Sequence, residues 1–94
     1  MASSQRTLQE TTTNLSGDEV LARAKSFFAN RPSIYSTFLD KEGPHFASFR
    51  GQGGEELIIA VAPAENGTRV TGSSYLFDMQ VSRFFATLTQ VSAA

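Results

Sequence analysis

Few side chains in this sequence could carry out chemistry, and most of them lie between positions 40 and 56. The segment Gly51-Gln52-Gly53-Gly54 resembles a loop that binds phosphate. Such loops work because backbone N–H groups meet the anion at the start of a helix. Here the glycines separate two predicted strands, and the carboxylates of Glu55 and Glu56 follow directly and would repel phosphate. We therefore interpret the segment as a flexible turn.

His45 is the single histidine of the chain, and it has few partners nearby in the sequence. A zinc site takes three or four ligands, whereas only Asp40 and Glu42 are close. A general base needs a nucleophile to activate, and none is evident. As an acid–base pair, Asp40 and Glu42 would need two different environments, but both flank Lys41 in a predicted hairpin loop. The sequence predicts no catalytic residue, no metal ligand, no cofactor and no enzymatic activity.

Two further groups have a functional and a structural interpretation. Ser73, Ser74 and Tyr75 could line a polar pocket, yet the serines are also expected as helix caps. Arg50 and Arg69 could face each other across neighbouring strands or bind an acidic ligand. A surface ion pair with Glu55 or Glu56 is the simpler expectation, and it would contribute little to stability.

The composition indicates one globular domain. The chain has 94 residues, of which 40% are hydrophobic and 18% charged, too apolar for a disordered chain. The net charge is −1 and the basic residues are dispersed, so we expect neither a nucleic-acid interface nor a polybasic membrane patch. No apolar run approaches the ~20 residues of a membrane span. The polar N-terminus lacks a signal-peptide pattern, which predicts a soluble cytoplasmic protein, and the absence of cysteine excludes disulfides.

Two helices should position these residues. Ser16 and Glu19 form a capping box, and Val20, Ala24, Phe27 and Phe28 then follow on one helical face. Pro32 requires this first helix to end before it. A second helix begins between positions 73 and 78. It carries the clearest amphipathic pattern, at Phe77, Val81, Phe84, Phe85 and Leu88.

Four apolar segments between the helices predict strands at 34–39, 45–50, 57–62 and 68–73. Asp40-Lys41-Glu42-Gly43 and Asn66-Gly67 are predicted hairpin turns, and Pro44 is predicted to open the second strand. The short loops favour an antiparallel meander. We predict an α+β fold: an N-terminal helix, a four- to five-stranded antiparallel meander sheet, and a long C-terminal amphipathic helix packed on the sheet. Residues 1–14 are predicted to be a flexible or strand-forming arm, and residues 15–94 a single domain.

The strands appear apolar on both faces. Alternate residues of a strand point to opposite faces, yet both sets are apolar between positions 57 and 62. Phe46 and Phe49 likewise point to opposite faces. Either a second copy covers one face, or the sheet curls far enough to hide it. We predict the second copy, in a homodimer or higher homo-oligomer, and a chain that is a non-enzymatic self-associating module. The predicted contact residues are Ile58, Ala60, Ala62, Phe46 and Phe49.

The C-terminal part also has a family resemblance. Gly67-Thr68-Arg69-Val70-Thr71, feeding a helix over 77–88, resembles the end of helix-grip proteins, the START-like and polyketide cyclase-like domains. The resemblance covers roughly residues 56–91, and the family's own fold has more strands. It implies an alternative function, the binding of a small apolar ligand or lipid in a half-size version of that fold. The predicted ligand contacts are Phe77, Val81, Phe84, Phe85 and Tyr75.

The helical pattern places Phe85 in the core. Phe85→Ala is expected to lower the free energy of unfolding by about 3–5 kcal/mol, because a large buried ring would leave a cavity. Thermal denaturation of the variant beside the wild type measures this, and an unchanged melting temperature would contradict it.

Overall fold

The fold is that of an α+β domain with a five-stranded antiparallel sheet and two helices. The computed structural model describes residues 7–28, 37–51, 56–74 and 78–92, without the side chains of Thr7, Thr37, Asp78 and residues 89–92. The elements, in chain order, are β1 (Thr7–Thr13), α1 (Gly17–Phe28), β2 (Thr37–Gly43), β3 (Phe46–Gly51), β4 (Glu56–Ala64), β5 (Gly67–Ser74) and α2 (Asp78–Ser92).

The strand order across the sheet is β1-β5-β4-β3-β2. Strands β2 to β5 form the predicted meander, whereas β1 joins at the far edge by pairing antiparallel with β5, from Thr7↔Ser74 to Thr13↔Thr68. The helix α1 carries the chain from one edge of the sheet to the other. The prediction that the fold begins with a helix is therefore wrong, since the strand β1 precedes α1. The threonine-rich segment has no apolar alternation, and its pairing with β5 makes it a strand.

The C-terminal helix is also shorter than predicted. Strand β5 continues to Ser74, and α2 begins only at Asp78. Its fifteen residues span about 22 Å at a rise of 1.5 Å per residue. The longest dimension of the domain is 36 Å. The helix thus covers part of the sheet, and α1 covers another part.

Neither hairpin turn lies where the sequence predicted: the first lies further along the chain, and the second lies one residue earlier. Asp40 to Gly43 belongs to β2, and the turn is Pro44-His45, because Gly43 pairs with Phe46. A β-bulge between Leu39 and Lys41 accommodates the extra residue. Proline presets the backbone angle of a first turn position, which explains why it starts the turn and not the strand.

The second hairpin turns at Glu65-Asn66, with Gly67 paired to Ala64 as the first residue of β5. The end of β1 passes directly over this glycine. A Cβ atom at Gly67 would collide with the carbonyl oxygen of Thr13, and the φ angle of Gly67 is 156°. The glycine is required here by the close approach of β1, a constraint that the local sequence does not reveal.

The predicted start of α1 is confirmed. The backbone N–H of Glu19 donates to the Ser16 hydroxyl oxygen at 3.1 Å, and the N–H of Val20 donates to the Ser16 carbonyl at 2.9 Å. Arg23 and Glu19 form an ion pair at 3.0 Å one turn apart. Capping satisfies N–H groups that have no partner within the helix.

Both helices pack on the same face of the sheet. Leu57, Ile59 and Val61 of β4 point to this face and are buried. Gly17 of α1 lies against Val61, and Gly72 of β5 lies beneath Val81 and Phe85 of α2. Three buried phenylalanines join the two helices to the sheet: the ring of Phe28 is 5.4 Å from that of Phe84 and 5.4 Å from that of Phe49. The core is thus one layer, between the helices and one sheet face.

The close seat of α2 depends on Gly72. A Cβ atom there would lie 2.6 Å from Cγ1 of Val81. Gly72→Ala is therefore expected to lower the free energy of unfolding by about 1–3 kcal/mol, through overpacking. In a Val81→Ala background, Gly72→Ala should lower the free energy of unfolding by at least about 0.5 kcal/mol less, since the Cγ1 methyl group of Val81 is no longer there. Urea denaturation of the four proteins measures this, and strict additivity would contradict the proposed contact.

Candidate functional site: the open face of the sheet

No helix or loop among the described residues packs on the face of the sheet away from the helices. We call this face the open face. The register places on it one residue from each strand in successive rows. One row runs Leu8, Ser73, Ile58, Ser48 and Lys41, and the next runs Glu10, Thr71, Ala60, Phe46 and Gly43. The open face thus carries the even-numbered residues of β1, β3 and β4, the odd-numbered residues of β5, and Phe38, Lys41 and Gly43 of β2.

The centre of the open face is apolar and shallow. Ile58 and Ala60 are half-buried, and Ala62 at the end of the strand is exposed. Phe46 lies beside Ala60 and is 36% exposed. Its ring leans over Gly43 of the neighbouring strand β2. A Cβ atom added to Gly43 would lie only 2.6 Å from Cε1 of that ring. Small side chains and one flattened ring give the centre a low relief.

Polar groups surround this centre. Thr71 and Ser73 lie on one side and Ser48 on the other. Arg50 contacts two carboxylates at one end of the face, with Asp40 at 3.2 Å and Glu56 at 3.7 Å. Towards the other end, Arg69 contacts Glu10 at 3.4 Å. These partly exposed ion pairs contribute little to stability, but they keep charge away from the apolar centre.

Four of the five predicted self-association residues lie on the open face: Ile58, Ala60, Ala62 and Phe46. Phe49 does not, because it points to the opposite side and is fully buried against Phe28. The sequence indicated that the two phenylalanines face apart. The positions of the helices decided which one is covered.

The predicted ligand contacts that the structure describes belong to the core. Val81 and Phe84 are fully buried, and Phe85 is 8% exposed. Val81 lies over Gly72, and the ring of Phe84 is 5.5 Å from that of Phe27. These side chains contact protein atoms. Tyr75 and Phe77 lie outside the described residues.

The candidate acid–base residues are held apart. Asp40 bonds to Arg50 on the open face, whereas Glu42 accepts a hydrogen bond from Lys25 of α1 at 2.8 Å. His45 is exposed in the turn after β2. No group of three or more histidine or acidic residues that could hold a metal ion occurs within the described ranges. Arg50 forms the predicted ion pair with Glu56, and residues 52–55 lie outside the described residues.

A cleft of about 400 Å³ opens at the start of α1, at one end of the sheet. Sequence reasoning missed it, because it is formed by two turns and a helix start that are distant in the chain. Val61 and the two prolines Pro44 and Pro63 provide apolar walls, and Asp18 and His45 also line it. The acidic first turn of α1 makes the cleft a poor site for an anion.

Comparisons with known proteins add a fold and no function. No protein-family model matches the chain, and no curated protein matches it either. The crystal structure of the protein SSP2350 from Staphylococcus saprophyticus is similar, with a TM-score of 0.55 over 94% of this chain and 84% of that one. The sequence identity is 14%, so the similarity shows a shared fold alone. The resemblance to helix-grip domains stays a prediction.

Neither of the two described helices is long and apolar enough to cross a membrane.

Adjacent isoleucines test the assignment of the two faces. Ile59 is fully buried under the helices, whereas Ile58 lies half-buried on the open face. Ile59→Thr is expected to cost about 2–4 kcal/mol of unfolding free energy, because it buries a hydroxyl and leaves a void. Ile58→Thr should cost less than about 1 kcal/mol. Urea denaturation at low protein concentration compares them, and equal losses would contradict the assignment.

Proposed function

We propose that this chain is a non-enzymatic module that associates with copies of itself, and that two copies pair through their open faces. The observation that carries the proposal is the one-sided arrangement of the helices. Both pack on the same face, so Ile58, Ala60 and Phe46 are left without a covering element among the described residues. An antiparallel sheet that faces water on one side normally carries polar residues there. A second copy is the occupant that this mixed surface fits.

The shape of the open face supports sheet-on-sheet packing. Between the exposed Leu8 on β1 and Phe38 on β2, the alanine, serine and threonine side chains of the inner strands leave no high ridge, so two such faces can approach closely. A two-fold axis brings the same patch of each copy together, and this requires a self-complementary surface. An apolar centre flanked by hydroxyl groups meets that requirement, since apolar groups meet apolar groups and hydroxyls can bond to each other.

The size of the face predicts a modest affinity. Five strands at about 4.8 Å spacing and about seven residues at 3.4 Å give a face of roughly 24 by 23 Å, or about 550 Å². Stable interfaces bury about 800 Å² on each partner. Pairing through this face alone is therefore expected to be weak and to depend on concentration.

The alternative function is the binding of a small apolar ligand or lipid, which rests on the resemblance to helix-grip domains. Its support is the cleft with walls from Pro44, Val61 and Pro63. None of the described ligand contacts proposed from the sequence, Val81, Phe84 and Phe85, lines that cleft. Self-association is favoured, because the apolar residues of the open face include four of the five proposed for it.

The substitution of one alanine on the open face tests the pairing. Ala60→Arg places a charge at the apolar centre of the open face and is expected to lower the average mass of the protein in sedimentation equilibrium at high micromolar concentration. An arginine at the apolar centre of the contact is buried there without a partner. Ala22→Arg is the matched control, because Ala22 is exposed on α1.

Circular dichroism should show that both variants are folded. The control is expected to associate as the wild type does. A wild type that stays monomeric at high micromolar concentration, or an Ala60→Arg variant with unchanged mass, would refute pairing through the open face. A co-purified small molecule in the native mass spectrum would favour the ligand alternative.

A further inference from the structure

The two edges of the sheet differ in how they are protected. The outer strand β2 contains a β-bulge and the charged run Asp40-Lys41-Glu42. Bulges and charges, lysine above all, are devices that prevent an edge strand from pairing with another chain. The opposite outer strand β1 has neither a bulge nor a lysine. It keeps a regular seven-residue register with β5, and its sequence TLQETTT holds one charge, Glu10, which is paired with Arg69.

Exposed apolar side chains flank the β1 edge. Leu8 of β1 is 70% exposed and Met79 of α2 is 68% exposed, the two highest values among the exposed large hydrophobic residues described. The hydroxyl of Ser82 donates to the side-chain oxygen of Gln9 at 2.8 Å, which places this side of α2 above β1. Met79 lies one turn before Ser82 on the same side of the helix. The edge thus has an apolar group on each side.

We propose that β1 is a second self-association surface, at which the β1 strands of two copies pair antiparallel and extend the sheet across both chains. The partner is another copy of this chain. Strand addition satisfies the outward-facing N–H and C=O groups of an edge strand, and threonine is favoured in strands. This contact is separate from the open face, and either contact can form without the other.

Symmetry restricts the register of this pairing. A two-fold axis perpendicular to the sheet pairs residues that point to the same face, so one residue must lie opposite its own copy. Three registers pair at least five residues. Centring on Glu10 opposes two carboxylates, and centring on Gln9 places Leu8 against Glu10. Centring on Thr11 avoids both, and it places Glu10 opposite Thr12 and Gln9 opposite Thr13. We assign this register, because like charges directly opposite each other are unfavourable.

The two contacts together define a closed assembly. The two-fold axis of the edge contact is perpendicular to the plane of the sheet. The two-fold axis of the open-face contact lies parallel to that plane. If these axes intersect, the result is a tetramer with D2 symmetry, in which two ten-stranded sheets pack face to face. Disruption of one contact then leaves a dimer held by the other.

The absence of cysteine from the chain makes the register directly testable. Thr11→Cys in the full chain, under mild oxidation, is expected to give a disulfide-linked dimer, since opposed residues lie about 4.5–5.5 Å apart between Cα atoms. Glu10→Cys and Thr12→Cys are the matched controls: each lies one residue from the axis, so it and its own copy are offset by two residues and lie beyond disulfide reach. Cross-linking at Thr11 alone supports the proposal. Equal cross-linking at all three sites, at a control alone, or at none would overturn it.

A charge pair at one exposed position provides the second measurement. Thr12→Glu would oppose Glu10 of the second copy, and Thr12→Lys would attract it. In the Ala60→Arg background, we expect Thr12→Glu to raise the dissociation constant of the remaining dimer roughly tenfold relative to Thr12→Lys. Within one chain glutamate at position 12 is favoured over lysine, because position 12 lies beside Arg69. A merely structural effect would therefore favour glutamate.

These outcomes separate the two proposals. If the edge pairing is wrong, the two Thr12 variants have the same dissociation constant, or the Ala60→Arg variant is monomeric at high micromolar concentration. If the open-face pairing is wrong, Ala60→Arg leaves the mass unchanged, and Thr11→Cys can still cross-link.

Discussion

The contact on which this structure depends is the meeting of Phe28, Phe84 and Phe49. One ring comes from each helix and the third from the sheet, and all three are fully buried. Aromatic rings at these distances contribute more than their buried area alone. Because the same cluster holds both helices, it requires them to lie side by side on one face of the sheet. The uncovered second face follows directly from this arrangement.

Close approaches between backbone and side chains complete the core layer. Gly72 allows α2 to sit directly on β5, and Gly67 allows the end of β1 to pass over the start of β5. The hydroxyl of Thr68 also donates to the carbonyl of Leu15 at 2.7 Å, which fixes the passage from β1 into α1. These contacts connect residues far apart in the sequence. They bring β1 to the edge beside β5, and so determine which strand faces outward there.

The surfaces left over by this packing are unequal, and the difference has a physical basis. The open face has an apolar centre of small side chains, with ion pairs near its ends. The β2 edge is bulged and charged, whereas the β1 edge is regular and rich in threonine. Both surfaces that are proposed to associate result from the position of the helices and of β1. Neither contains a side-chain set that resembles an active site.

The sequence by itself determined the secondary structure in large part. Ser16 and Glu19 define the start of α1, because capping is a local interaction, and the spacing of Val81, Phe84, Phe85 and Leu88 defines the buried side of α2. The uninterrupted apolar run at 57–62 showed that both faces of β4 carry apolar residues. Tertiary structure decided the rest, because it depends on contacts between distant residues. Pairing with β5 turned the polar segment 7–13 into an edge strand, the bulge in β2 moved the turn to Pro44-His45, and the aromatic cluster selected Phe49 for the core and left Phe46 on the open face.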